Sequence, residues 1–315
     1  MTLTELKYIV AVARERHFGR AAEACFVSQP TLSVAIRKLE DELGVQLFER
    51  GSSEVSVTPI GTQIIEQAQR VLEQAAAVKE IAKHGKDPLS GPVKVGVIYT
   101  IGPYLLPQLV RQMISDAPRM PMLLQENFTV KLLELLRQGE IDVAIMADPF
   151  NAQGLITQPL YDEPFVVAAP AGHPLAERKS IPATLLKTET MLLLGTGHCF
   201  RDQVLEVCPE LSRYSQASAG IQKTFEGSSL ETIRHMVASG IGITVLPWTA
   251  MPPPSRRDRL LRYVPFDDPP PIRRVSIAWR KSYARAPAVA KIRSAVLKLK
   301  FAGVTMLPDE PPIHH

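Results

Sequence analysis

Cysteine is scarce in this chain, with three in 315 residues. No two form the Cys-x-x-Cys spacing of a structural zinc site, and His198 adjoins Cys199 too closely to share a tetrahedral site with it, so no metal centre is expected. No Gly-x-Gly-x-x-Gly or Walker-type phosphate loop occurs, and no cofactor is expected. No apolar run approaches the roughly 18 residues of a membrane span, so no membrane partner is expected. Met1 to Lys7 carry no positive run followed by an apolar core, so a secretory leader is not expected and the compartment reads as cytoplasmic. That compartment is reducing, and a cysteine pair in it is transient, sensing, catalytic or metal-binding rather than a structural staple. Against this scarcity, Cys199 and Cys208 lie nine residues apart, the first flanked by His198 and Arg201.

The length suffices for two or three domains with their own cores. A hydrophobic content of 45% and a charged content of 22% are those of a soluble globular protein. The net charge of +4 permits nucleic-acid binding without arguing for it.

The first sixty residues carry short helical patterns. Leu3, Leu6, Ile9, Val10 and Ala13 recur at helical spacing. Ala21, Ala22 and Ala24 allow a second helix to cross a third closely. Ser28 suits an N-cap and Pro30 the first turn of that third helix. Its apolar side is Leu32, Ala35, Ile36 and Leu39. Its other side carries Gln29, Thr31, Ser33, Arg37 and Lys38, whose amide, hydroxyl and cationic groups suit base edges and phosphates. Gly44 ends the helix, and Val45 to Thr58 alternate enough for a small β-wing with Arg50 near its tip. The pattern is a helix-turn-helix, and the candidate DNA-binding set is Gln29, Pro30, Thr31, Ser33, Arg37, Lys38 and Arg50. The plainer alternative is a small helical bundle, since Glu15, Glu23, Asp41 and Glu42 nearly balance the local bases. Cys25, between Ala22 and Phe26, reads as a packing residue.

Thr58 and Pro59 start a helix expected to run to about His84, with Gly85 as its stop. Ile64, Ala68, Val71, Ala75, Val78 and Ala82 step by four and three, the seam of a coiled coil, and predict pairing with a second copy. Residues 85–92 read as a hinge. From Val93 onward strand and helix patterns alternate, predicting an α/β architecture with parallel-type sheets. Three loops that follow strands could line a ligand cleft: Tyr99 to Pro103, Asn127 to Thr129, and Gly195 to Cys199.

Gly195-Thr196-Gly197 breaks the chain, and Phe200, Val204 and Val207 then fall at helical spacing. Cys199 is thus expected in the first turn of a helix, at the positive end of its dipole. A thiol with its reference pKa of about 8.5 is mostly protonated at neutral pH, so a reactive cysteine needs such help. His198 and Arg201 can add donors or positive charge. If the stretch between the cysteines were fully helical, their Cα atoms would lie about 13 Å apart. A disulfide needs roughly 4.4–6.8 Å. The bond therefore cannot form while this helix stands, and oxidation should unwind it. Pro209 biases Cys208 away from helical geometry, so the helix should end near Val207.

Several segments also carry a family resemblance. Phe18 to Ala24, Val27 to Ser33 and Leu39 to Arg50, followed by Thr58-Pro59-Ile60-Gly61, resemble the winged helix-turn-helix and linker-helix entry of LysR-type transcriptional regulators. Gly197 to Cys208 and Gly240 to Ile243 are similar to the peroxide-sensing branch of that family. The resemblance departs at residues 251–258 and after Phe301. It implies a winged helix-turn-helix domain (1–58), a linker and dimerisation helix with hinge (59–91), and a redox-sensing regulatory domain (92–301). That last domain would comprise two Rossmann-like subdomains, as in periplasmic binding proteins. Subdomain I would hold about 92–162 and 270–301, and subdomain II about 163–269, with a tail at 302–315.

The resemblance further implies Cys199 as the peroxidatic thiolate and Cys208 as the resolving cysteine. Thr100, Thr129, His198 and Asp202 would hold peroxide, with Arg273 or its neighbour Arg274. Implied partners are double-stranded promoter DNA, RNA polymerase, hydrogen peroxide as the signal, glutaredoxin or thioredoxin systems as reductants, and further copies of the chain in a homotetramer built as a dimer of dimers. On this reading the protein is a regulator and not an enzyme. Two rivals remain open: a LysR-type regulator answering a small metabolite, with incidental cysteines, and a thiol peroxidase with an accessory helical domain.

Overall fold

The computed structural model describes residues 1–50, 55–84, 87–209, 229–253, 255 and 259–315. The chain divides into two units, Met1–Lys86 and Asp87–His315.

In the first unit, α1 (Leu3–Glu15), α2 (Phe18–Ala24) and α3 (Gln29–Leu43) pack around Leu6, Ile9, Val12, Leu32, Ile36 and Leu39, all buried. Thr2 and Glu5 close a reciprocal capping box at the start of α1. Ser28 Oγ accepts the Thr31 N–H at 3.3 Å to begin α3, and Gly44, at φ 67°, ends it in the left-handed region. Of the three alanines expected at the helix crossing, Ala21 and Ala22 are buried and Ala24 is exposed. Strands β1 (Phe48–Arg50) and β2 (Val55–Val57) pair antiparallel as the wing. The wing tip, the Arg50 side chain and the predicted stop at Gly85 lie outside the described residues.

Thr58 Oγ1 accepts the Gly61 N–H at 2.9 Å and starts α4 (Pro59–His84). The predicted seam divides. Ile64, Ala68 and Val71 pack on the core of this same unit, whereas Val78 and Ile81 remain exposed. The apolar repeat serves intramolecular packing over its first turns, because α4 must cover the core that α1 leaves open.

The second unit contains β3 (Val93–Ile98), α5 (Gly102–Asp116), β4 (Met122–Asn127), α6 (Thr129–Gln138), β5 (Val143–Ala147) and β6 (Leu155–Pro170). These are followed by α7 (Cys199–Val207), α8 (Leu230–Ala238), β7 (Thr244–Pro247), β8 (Leu261–Pro265), β9 (Ile272–Arg280), α9 (Ala286–Lys298), β10 (Thr305–Met306) and β11 (Ile313–His314). β3 lies parallel to β4 and β5, as the alternation predicts. The sheet as a whole is mixed: β9 runs antiparallel to both β5 and β6. β6 and β9 are crossing strands, one carrying the chain out of the first subdomain and the other carrying it back, so they must oppose each other.

β6 pairs β9 as far as Pro164 and then pairs β7 and β8 from Phe165 onward. Each half therefore has its own core. One gathers Val95, Leu105, Leu132, Ile145, Ile277 and Ile292. The other gathers Phe165, Phe200, Val204, Ile233, Val245 and Val264.

Two segments differ from expectation. The Arg285 guanidinium donates to the carbonyls of Pro88 (3.1 Å), Ser90 (2.8 Å) and Pro92 (2.9 Å), so the described part of the predicted hinge is tied to the second unit. The predicted tail is also tied down. β10 and β11 pair with β6, and His315 Nε2 lies 2.9 Å from Thr157 Oγ1. Short polar segments carry little periodicity, and their long-range pairing is invisible locally.

Candidate functional site

The three predicted loops converge. Ile98, Tyr99, Thr100, Asn127, Phe128, Thr129, Gly197, His198 and Cys199 line a cavity of about 10 Å³. Each comes from a place the fold dictates: the end of β3, the junction of β4 with α6, and the entry to α7. Gly197 sits at φ 96°, in the left-handed region that glycine adopts readily, and so permits the turn into α7.

Three polar groups surround the thiol. Thr100 is 2% exposed, Thr129 9% and His198 6%. The Thr129 Oγ1 is buried and has no protein hydrogen-bond partner. Thr100 Oγ1 accepts from Arg273 Nη1 at 2.9 Å. With one lone pair so engaged, the Thr100 hydroxyl still has its proton to donate to a molecule in the cavity. His198 is the N-cap residue of α7, with its ring 4.8 Å from Phe128 and 5.9 Å from Tyr99. Burial holds its imidazole below its ordinary pKa, so the neutral form is favoured. His198 is therefore placed to act through hydrogen bonding rather than through positive charge, one of the two roles the sequence offers. Arg201 turns away and donates to the Leu194 carbonyl at 3.2 Å.

The arginine ambiguity resolves by strand parity. Arg273 and Arg274 are neighbours on β9 and point to opposite faces. Arg274 forms a fork with Asp162 on the exposed side, at 2.8 Å for both nitrogens. The side chains of Arg273 and Glu163 are fully buried, and their ion pair spans 2.7 Å. Arg273 also donates to the Thr100 carbonyl at 3.0 Å, and its guanidinium lies 5.1 Å from the Phe200 ring centre. Glu163 in turn accepts from the Thr249 N–H and hydroxyl at 3.0 and 2.7 Å. Arg273 thus reaches the cavity through Thr100 rather than lining it. Asp202 is exposed on α7 and is not among the lining residues. At helical spacing it faces solvent while Phe200, Gln203 and Val204 face inward. Among the described residues no His, Cys, Asp and Glu cluster suited to a metal ion occurs.

The two cysteines occupy different surroundings. Cys199, half-buried, packs against the first core, whereas Cys208 is 2% exposed within the second. α7 stands intact between them, and the Cys208 N–H still donates to the Val204 carbonyl at 3.2 Å. None of the three cysteines is in a disulfide. Sequence reasoning missed Gln203, which ties α7 to the first subdomain by donating to the Asp148 carbonyl at 2.8 Å. It also missed Glu163, for which no local signal exists.

On α3, Gln29, Pro30, Thr31, Arg37 and Lys38 are exposed and Ser33 is half-buried. Val34 is 66% exposed on the same face and was missed. A helical wheel finds it, because Val34 falls about 200° from Leu32 at 100° per residue.

Comparisons with known proteins define the class. Residues 3–62 match the bacterial regulatory helix-turn-helix protein model of the lysR family, and residues 86–299 match the LysR substrate binding domain. The chain belongs to the LysR family of bacterial regulators. Within it, the chain is 43% identical over 280 residues to the DNA-binding transcriptional dual regulator OxyR of Escherichia coli, covering 89% of this chain and 90% of that one. Full-length OxyR of Pseudomonas aeruginosa, in a cysteine-to-aspartate variant, is 49% identical, with a TM-score of 0.74 and 99% of each chain covered. A hydrogen-peroxide-bound cysteine-to-serine mutant of Corynebacterium glutamicum OxyR is 36% identical, with a TM-score of 0.63, over 94% of this chain and 92% of that one.

Proposed function

We propose that this chain is a peroxide-sensing transcription regulator whose signal is a Cys199–Cys208 disulfide. The carrying observation is the cavity. Its volume of about 10 Å³ is on the scale of a single water-sized molecule, so it suits a very small ligand. A metabolite pocket typically needs about 300 Å³ or more. Its polar lining includes a buried threonine hydroxyl with no protein partner. The kinship with OxyR proteins, one of them peroxide-bound, supports the same reading.

In the proposed chemistry, hydrogen peroxide sits between Thr100, Thr129 and His198. Cys199, at the N-terminus of α7, attacks as the thiolate. A sulfur–oxygen bond forms, the oxygen–oxygen bond breaks, and the departing hydroxide takes a proton and leaves as water. Thr100, its oxygen engaged by Arg273, donates toward that departing oxygen. Cys208 then attacks the sulfenic sulfur and displaces a second water, giving the disulfide. The two thiols supply the two electrons. Glutaredoxin or thioredoxin systems reduce the bond and reset the protein. Asp202, exposed in this state, joins the site only if α7 rearranges.

Gln29, Pro30, Thr31, Ser33, Arg37 and Lys38 of α3, with Arg50 of the wing, contact promoter DNA. The exposed Val78 and Ile81 of α4 are available for pairing copies toward a homotetramer that engages RNA polymerase in the cytoplasm. Footprinting tests this reading with reduced and peroxide-treated protein on its upstream DNA, beside Cys199→Ser and Cys208→Ser. A footprint that shifts only in the protein with both cysteines supports it. A footprint indifferent to peroxide refutes it.

A further inference from the structure

We propose that Val34 is a base-reading residue that selects thymine through its 5-methyl group in the major groove. The proposal rests on the DNA-reading role of α3. A lone exposed valine is common on protein surfaces, so its position carries the argument. Leu32, Ile36 and Leu39 define the buried side of α3. Val34 lies opposite them and is 66% exposed. On the wheel it falls between Pro30 and Lys38, with Thr31 and Arg37 beyond, and all four are exposed. It also sits in the first half of α3, the part of a recognition helix that meets base edges.

No feature of the fold requires a β-branched apolar group there. Val34 is absent from the residues packed on the core of its unit, and valine is a poorer helix former than alanine or lysine. Among groups displayed in the major groove, the thymine methyl is the apolar one, and it is matched by apolar side chains. Flanking Arg37 and Lys38 supply cations for phosphates or base edges, while Thr31 and Gln29 supply neutral hydrogen bonds. An apolar contact framed by such groups distinguishes thymine from cytosine, which lacks the methyl.

The test uses the full reduced chain and a duplex selected by it from a random-sequence pool. Each thymine of the half-site is replaced singly by deoxyuridine, which removes only the methyl. Wild-type protein should lose about fourfold in affinity at one position per half-site, the expected worth of one buried methyl. Val34→Ala should bind the parent duplex correspondingly less well and be indifferent to deoxyuridine at that position. Its salt dependence should match wild type, since no phosphate contact is removed. The substitution improves helix propensity at an exposed position, so folding is not at risk. The proposal is overturned if wild type tolerates deoxyuridine everywhere, or if Val34→Ala keeps the same single-position sensitivity. If the chain enriches no duplex at all, the DNA-reading role of α3 falls with it.

Discussion

The two ends of α7 lie in very different surroundings. At its start, Cys199 is half-buried and faces a small polar cavity. At its end, Cys208 is enclosed by the core of the second subdomain. One end borders a small polar cavity and the other is closed off from solvent. The helix between them enforces the separation, because nine residues of helix hold the cysteines about 13 Å apart.

α7 is also short. Isolated helices below about 12–15 residues are marginal in water, so its stability comes from tertiary packing. Phe200, Val204 and Cys208 anchor it in one core, and Gln203 holds it to the other subdomain. Burying an aromatic or aliphatic side chain of this kind is worth about 1.5–3 kcal/mol.

Breaking the cavity end should have the largest effect. Cys199→Ser should abolish peroxide-dependent DNA footprint changes. Cys208→Ser should instead accumulate the sulfenic acid, detectable by dimedone labelling, without a disulfide. If Cys208→Ser gives an intramolecular disulfide all the same, the assigned pairing is wrong.

Next comes the buried ion pair behind the cavity. Arg273→Met leaves the Glu163 carboxylate buried without its cation, and should cost about 3–5 kcal/mol in urea denaturation of the reduced protein. Adding Glu163→Gln should recover much of that loss. A single variant as stable as wild type would contradict the description of this pair.

Thr129→Val separates the ends more finely. Its hydroxyl has no protein partner, so stability should change by less than about 1 kcal/mol. The Cys199 oxidation rate should fall by about a hundredfold, the scale expected for a lost transition-state donor. Stopped-flow oxidation and alkylation by iodoacetamide, run side by side, check this. Equal loss in both reactions would point to general access rather than peroxide binding.

The smallest effect concerns pH. Burial keeps the His198 imidazole below its ordinary value of about 6.5, so the unfolded chain binds the proton more readily than the folded one. Stability should therefore fall as pH drops through that value. His198→Asn should flatten the decline between about pH 7 and about pH 5, measured by urea midpoints. An unchanged slope would remove His198 from the account.

Much of this was legible in the sequence because the signals were local. Ser28 with Pro30, and Thr58 with Pro59, mark helix starts through capping chemistry, and the structure uses them so. The loops that meet at the cavity were found as strand ends, and the break before Cys199 was found in its glycines. What escaped was set by partners far along the chain. The buried state of Arg273 depends on Glu163, 110 residues away. Whether Arg273 or Arg274 faces inward depends on the register of β9 against β6. The family resemblance places Asp202 at the site, yet the helix turns it to solvent. In the linker helix, one periodic pattern served two purposes, and periodicity cannot tell an intramolecular partner from a second copy.

The central claim is that the disulfide and α7 exclude each other. Hydrogen exchange read by mass spectrometry over residues 199–207 tests it, with reduced, peroxide-oxidised and oxidised Cys208→Ser protein compared. The amides late in α7, which donate within the helix, should lose protection on oxidation of the wild type and keep it in the variant. Undiminished protection in protein shown to carry the Cys199–Cys208 bond would contradict the account.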